Sequence, residues 1–339
     1  MAQTTRNNHF VPQFYLQQWS MDSQKIWEYP ILVSHKNVPD WSLKSIRNVA
    51  FQRDLYTQFE DGIEIDEFEN WLKQEFEDPV QESLKKVLKD DPLTSNDWNL
   101  LVGFLASQDL RTPTSYINLM KMRSELQTSL QSTLEDSVRR MEDSIHNKNE
   151  LPPHADIDDS LFDDSLKVEI TADPGSSQRF IGVNLTLGRR FWLEQQKHMM
   201  NKIGVLKDHK WSVYRPARGL DWFTSDHPVV KLNYYAGGKY DLKGGWARKG
   251  GNIFMPLSPR HLLFTEVGGD LPDTKKLSPK MTRELQAFLA ERGRKSIYSH
   301  KKLPIIKKLR PRTVDSEVYK LEEAQLQNWH DQQSKFDNI

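Results

Sequence analysis

The chain has 339 residues, with 47 basic and 47 acidic side chains, 37% hydrophobic residues and no cysteine. That length allows a sizeable core in roughly two domains of about 100–200 residues, and the missing cysteines exclude disulfides, a thiol nucleophile and thiolate metal sites. No uncharged apolar run approaches the roughly 20 residues that span a bilayer, and the start MAQTTRNNHF lacks the apolar segment of a signal peptide, so a soluble, cytoplasmic chain with no membrane partner is expected.

In chain order, Pro12 opens a short predicted helix with Phe14, Tyr15 and Trp19 near helical spacing. Short β-like pieces follow at Lys25–Tyr29, Ile31–Ser34, Asn48–Phe51 and Leu55–Thr57. Helical periodicity starts near Glu64, where Ile65, Phe68, Trp71, Leu72 and Phe76 trace one face. Asp78-Pro79 is expected to break that helix and start the next. Thr94 or Ser95 caps a third helix, with Asp97 in its first turn and a stripe through Trp98, Leu101, Val102 and Leu105. A long helix is predicted over Ser115–His146, then an acidic surface linker over 147–164 containing Pro152-Pro153, then a helix over Asn184–Lys202. The β-rich part, 205–270, has predicted strands at Trp211–Tyr214, Leu220–Thr224, Val229–Leu232, Ile253–Pro256 and Leu262–Val267. Ser278-Pro279 starts a helix over Lys280–Arg292, and an amphipathic helix is predicted from Ser316 to about Gln333. This order gives an α+β fold, with a central helical bundle (64–147) packed on a mixed or antiparallel sheet within a domain over 1–270. Residues 271–339 read as a C-terminal helical extension.

The balanced charge conceals segregation. Asp54 to Asp91 holds thirteen acids against four lysines, whereas Arg292 to Arg312 holds nine Lys/Arg and no acid. The loop Gly237–Gly251 adds Lys239, Lys243, Arg248 and Lys249 against Asp241. Either acidic and basic segments cover each other in the fold, or the basic ones form a surface for phosphate-rich ligands.

Walker, Gly-x-Gly-x-x-Gly, His-Glu-x-x-His and Gly-x-Ser-x-Gly motifs are absent from the sequence, which disfavours P-loop, Rossmann, zincin and hydrolase-elbow chemistry. Candidate chemistry lies instead where polar residues interrupt apolar or turn-rich stretches. His9 precedes Pro12 and is either a solvated or packing residue or an acid, base or ligand, since histidine side chains can change charge near neutral pH. On the third helix Leu101, Phe104, Gln108 and Arg111 share a ridge, so an apolar stripe ends in an amide and a guanidinium that either snorkel at an edge or enter a cleft. Thr224-Ser225-Asp226-His227-Pro228 puts a carboxylate and an imidazole at a strand end, where turn chemistry alone also explains them. Met255-Pro256-Leu257-Ser258-Pro259 fixes an extended segment.

His9-Phe10-Val11-Pro12-Gln13-Phe14-Tyr15-Leu16, Ile46-Arg47-Asn48-Val49-Ala50 to Asp54-Leu55-Tyr56, Ala106 to Pro113, Phe223 to Val229 and Pro256-Leu257-Ser258-Pro259 occur in that order. Together these words resemble the bacterial domain-of-unknown-function family 4238 over about residues 5–270. The resemblance implies that His9, Gln108, Arg111, Thr224, Ser225, Asp226 and Pro228 occupy motif positions. His227 stands where the pattern is looser and often has asparagine, so the resemblance implies no catalytic role for it. No activity follows from the family itself.

Two expectations result. In the first, the chain is an enzyme acting on a phosphodiester or nucleotide, such as a nuclease or toxin-like effector in bacterial defence. His9, Gln108, Arg111 and Asp226 would form the catalytic set: His9 would be acid or base, Arg111 would hold a phosphate oxygen by bidentate bonds, and Asp226 would orient a base or bind a divalent metal. Thr224, Ser225, Lys239, Arg248 and Lys249 would bind substrate, with nucleic acid held along 237–251 and 292–312. In the alternative, the chain is a non-enzymatic structural or interaction protein and the same residues form a buried polar network, Arg111 pairing with Asp226.

Overall fold

The computed structural model describes residues 6–22, 24–60, 63–146, 166–172, 179–185, 189–271 and 275–327. The expected linker 147–164 and the end of the last predicted helix lie outside the described residues. The chain begins with β1 (Asn7–His9) and the single turn α1 (Gln13–Leu16), then β2 (Lys25–Pro30), β3 (Leu32–Val33), β4 (Ser42–Ser45), β5 (Phe51–Arg53), β6 (Gln58–Glu60) and β7 (Ile63–Ile65). Helices follow: α2 (Glu67–Leu72), α3 (Asp78–Lys89), α4 (Ser95–Leu110) and α5 (Pro113–His146). A hairpin, β8 (Leu166–Ala172) and β9 (Arg179–Leu185), leads to α6 (Arg189–Asn201) and α7 (Gly204–Lys207). The remainder is β10 (Ser212–Tyr214), β11 (Thr224–Ser225), β12 (Val230–Tyr235), β13 (Lys239–Asp241), β14 (Asn252–Ser258), β15 (His261–Glu266), α8 (Pro279–Arg292), β16 (Ser296–Ser299), α9 (Ile305–Leu309), β17 (Thr313–Val314) and α10 (Ser316–Gln327).

The fold is α+β. A five-stranded sheet in the order β10-β15-β14-β12-β13 and a four-stranded sheet in the order β11-β16-β2-β4 are both antiparallel throughout. Because β16 sits between β11 and β2, the four-stranded sheet joins the first thirty residues to segments on both sides of position 270. Among the described residues, no helix is long and apolar enough to cross a membrane.

Two local results differ from the periodicity. Asp78-Pro79 does not break the helix: a π-helical turn, Lys73–Glu77, bridges α2 to α3, and Pro79 falls in the first turn of α3. Proline crowds the preceding turn, and widening that turn relieves the clash. Secondly, α4 carries no single stripe, because every residue from Leu101 to Asp109 is buried. A helix apolar nearly all round belongs inside a core. Its start is fixed as expected by a capping box, in which the Thr94 hydroxyl accepts from the Asp97 amide at 3.2 Å and the Asp97 carboxylate accepts from the Thr94 amide at 2.8 Å.

Aromatic packing closes the core around α4. Phe104 meets Phe14 and Tyr15 of the N-terminal turn, and Tyr56 stacks on Trp192 of α6 with centroids 6.0 Å apart. Near the C-terminal end of α4, buried Asp109 accepts from Lys231 Nζ at 2.6 Å and from the Trp246 indole at 2.9 Å, which ties this helix to the five-stranded sheet.

Candidate functional site

The site grows from the four-stranded sheet. Strand pairing sets Thr224 opposite Tyr298 and Tyr298 opposite Glu28. Side chains alternate along a strand, so Ser296 and Tyr298 of β16 share one face with Glu28 of β2. Ser296 Oγ donates to the Glu28 carboxylate at 2.8 Å.

At the end of β11 the chain turns. Ser225 Oγ accepts from the His227 amide at 3.1 Å and donates to the His227 carbonyl at 2.9 Å. This is the local turn chemistry of a serine. Asp226 then accepts the amides of Arg294 at 2.9 Å and Lys295 at 2.8 Å, one on each carboxylate oxygen, while its own amide donates to the Ser296 carbonyl. The carboxylate thereby fixes the entry into β16 and the origin of the Arg294 and Lys295 side chains.

A cavity of about 190 Å³ opens beside this turn. Asp226, His227 and Glu28 face it together with Arg294, Lys295 and Tyr298. Val49–Gln52 forms one wall, and Pro113, Thr114 and Ile117 of α5 form another. In the first wall Ala50 is held at φ +51°, and its carbonyl accepts the amides of Phe10 and Val11. A non-glycine residue in this region stores strain that the surroundings must hold in place, a recurrent feature of functional loops.

The electrostatics of the cavity follow from burial. Burial pushes the Glu28 carboxyl up, and the charge of Asp226 adds to that effect against the Ser296 hydrogen bond. Burial also raises Tyr298 well above the usual phenol range, with Glu28 and Asp226 reinforcing it, so this hydroxyl is a neutral donor. For Asp226 burial works against the charge, yet His227 and the two amides outweigh it and the group lies below the usual carboxylate range. Burial lowers Lys295, opposed by Glu322 and Asp226. His227 is 5% exposed, and neither ring nitrogen has a hydrogen-bond partner. Its Nδ1 lies 3.6 Å from Asp226 Oδ2, too long for a proper hydrogen bond. A cleft with several perturbed ionisable groups and an unsatisfied buried imidazole is where a ligand is expected.

The motif residues divide between this cavity and a separate network. Arg111, 3% exposed, pairs through Nη1 with Glu77, donates through Nη2 to the His9 carbonyl and through Nε to Tyr56 Oη at 3.3 Å. Tyr56 Oη returns a hydrogen bond to the Arg111 carbonyl at 2.8 Å. Burial opposes the guanidinium charge, but Tyr56 and Glu77 more than compensate. Arg111 thus does not snorkel at an edge, and its ion-pair partner is Glu77 rather than Asp226. The His9 ring packs on Phe51 and is pushed toward its neutral form by burial, with Arg111 adding to the effect. Neither His9 nor Arg111 lines the cavity that Asp226 lines. Gln108 is buried with neither amide atom partnered and does not line it either.

Of the expected substrate-binding residues, Thr224 bonds Tyr15 Oη at 2.7 Å and Ser225 shapes the turn. Lys239 and Arg248 belong to the β12–β13 region, where Arg248 lies over the Tyr235 ring at 5.3 Å, and Lys249 packs beside Gly268; none of the three reaches the cavity. The basic run 292–312 is engaged within the molecule. Lys307 and Arg312 pair with Asp40, Lys301 with Asp221, and Arg292 donates to the Val229 carbonyl. Asp40 and Asp221, which neutralise these cations, lie outside the acidic stretch 54–91, and Arg294 and Lys295 are the members of the run that line the cavity.

Glu28, Arg294, Lys295 and Tyr298 were not singled out by the sequence. Glu28 carried one signal, a lone acid between Trp27 and Tyr29 in a strand. Among the described residues, no group of three or more His, Asp or Glu is arranged to hold a metal ion. No curated protein and no solved structure matches the chain. A family model described as "Protein of unknown function (DUF4238)" matches residues 7–303, which span the cavity from Glu28 to Tyr298 as well as the Arg111 network, and the chain belongs to that family.

Proposed function

We propose that the chain is an enzyme acting on a phosphodiester or nucleotide substrate, with the cavity beside Asp226 as its site. The observation that carries this reading is the convergence of two cations, a carboxyl group inclined to keep its proton and an unpartnered imidazole on one cavity. Arg294 and Lys295 suit a phosphate, through a bidentate fork and a point charge respectively. His227 takes the proton from a water as its oxygen bonds to phosphorus, and Glu28 in its protonated form supplies the proton to the departing oxygen as the other P–O bond breaks. Tyr298 is a neutral donor beside them. Asp226 acts as a positioning residue, because it holds the backbone from which Arg294 and Lys295 project. The cavity volume suits a small phosphorylated group or one unit of a polymer.

The test is incubation of the purified protein with RNA, single-stranded and duplex DNA, and mononucleotides, with and without divalent metal. A general acid or base contributes about 10²–10⁴-fold, so His227→Ala should lower kcat by at least about 100-fold, while Lys295→Ala should chiefly raise KM. Turnover unaffected by His227→Ala would overturn the assignment. A second reading, a non-enzymatic interaction protein, is favoured by the Arg111 network, in which Glu77, Tyr56 and the His9 carbonyl all engage the guanidinium. Absence of turnover on every substrate would support it.

A further inference from the structure

The cationic end of the cavity already carries an anion from the chain itself. Glu322 of α10 lies 3.4 Å from Arg294 Nη2 and 3.9 Å from Lys295 Nζ, and it lines the cavity with them. The other cavity groups, Glu28, Asp226, His227, Arg294, Lys295 and Tyr298, fall within the segment matched by the family, whereas Glu322 lies beyond its end at residue 303. We propose that α10 is a displaceable acidic cover, in which Glu322 occupies the anion subsite and a phosphate-bearing ligand must compete with it. This rests on the reading of the cavity as a phosphate site.

The attachment of α10 is suited to release. None of the side chains described for residues 316–324 is buried, and Val318 and Leu321 are 42% and 60% exposed. Among the described side chains of 316–324, no buried apolar face holds the helix down. Its start is tethered by Asp315, whose carboxylate accepts the amides of Glu317 and Val318, and by β17, which pairs with β3 at only two positions. Among the described side-chain contacts, two ionic ones join the helix to the cavity, from Glu322 to Arg294 and to Lys295. Partly exposed ion pairs of this kind are individually weak and screened by salt. With Glu317, Glu322 and Glu323 against Lys320, the helix is itself acidic. Inorganic phosphate or a terminal phosphate group brings more charge than one carboxylate and meets the Arg294 fork as a carboxylate does, so it can take the subsite. Elements that move to admit ligands are drawn from the least stable parts of a fold, and α10 meets that description.

Linkage makes the effect reciprocal: whatever α10 costs phosphate in affinity, phosphate costs α10 in docking. The experiment uses the full chain, wild type and Glu322→Gln, with inorganic phosphate as the probe. Phosphate affinity is read by calorimetry at low ionic strength, and hydrogen exchange is followed over residues 316–327. Glu322→Gln should bind phosphate about tenfold more tightly, and phosphate should speed exchange of 316–327 in the wild type. Equal affinities, with exchange unchanged by phosphate, overturn the cover and leave the cavity reading standing. If neither protein binds phosphate although Glu322→Gln by itself speeds exchange, the phosphate reading falls and the competition falls with it.

Discussion

Replacing Arg111 by alanine separates a structural from a catalytic use of the motif words. The guanidinium is 3% exposed and engages Glu77, the His9 carbonyl and Tyr56. Removing one partner of a buried ion pair costs about 3–5 kcal/mol, because the other charge is left without compensation. The Glu77 side chain keeps 18% exposure and can partly rehydrate. That places the cost near the lower end, about 3 kcal/mol. For a chain of this size, each kcal/mol moves Tm by about 2 °C, so a drop of about 6 °C is expected. Intrinsic tryptophan fluorescence during heating provides the readout, since Trp192 stacks on Tyr56 directly beside the guanidinium. Glu77→Gln should also destabilise, because it keeps an acceptor but leaves the more deeply buried guanidinium without a countercharge. A double-mutant cycle between the two positions should give a coupling of at least about 1 kcal/mol. A drop below 2 °C for Arg111→Ala, or zero coupling, would refute the buried-pair argument.

Two further outcomes test the same structure. Burial raises Glu69 to about 7, aided by Asp66 and Glu77 against the hydrogen bond from Asn8. The folded state therefore keeps a proton that the unfolded chain releases near 4.5, and stability from this group falls as pH rises from about 4.5 to 7. Glu69→Gln should raise Tm relative to wild type at pH 8 and converge with it near pH 4.5, as measured by thermal melts across that range; a difference independent of pH would sink the assignment. His9, pushed toward neutrality by burial, acts oppositely by withdrawing stability as pH falls below 6.5, which is why the difference between the two proteins is the quantity to plot. Thr94→Ala removes a capping side chain and should cost about 1 kcal/mol in chemical denaturation, whereas Thr94→Ser should restore it.

The signals that the sequence carried faithfully are local ones. The Thr94 and Ser278 helix starts depend on side chains that reach only three residues ahead, and both caps form as that chemistry dictates. The strands at Lys25 and in the 252–266 hairpin followed from alternation and turn residues, and the order of elements gave the α+β class. The ordered words from His9 to Pro259 identified the family. Local patterning could not say that α4 would be enclosed on all sides, because its burial is set by what packs on it. The same limit explains Arg111, whose partner was assigned by motif company to Asp226 while the tertiary packing supplies Glu77, 34 residues earlier in the chain.

The candidate site was the least legible part, and the reason is sequence separation. Ser296 bonds Glu28 across 268 residues, and Asp226 caps amides 68 and 69 residues away. Nothing in a short window distinguishes Arg294 and Lys295 from the other basic residues of their run. Their place at the cavity comes from β16 inserting between β11 and β2, a non-local pairing decided when the whole sheet assembles. The sequence by itself established that acidic and basic side chains are equal in number and unevenly spread along the chain. Only the tertiary structure decided which of them neutralise each other, because an ion pair depends on a few ångströms of distance that the linear spacing of charges does not contain.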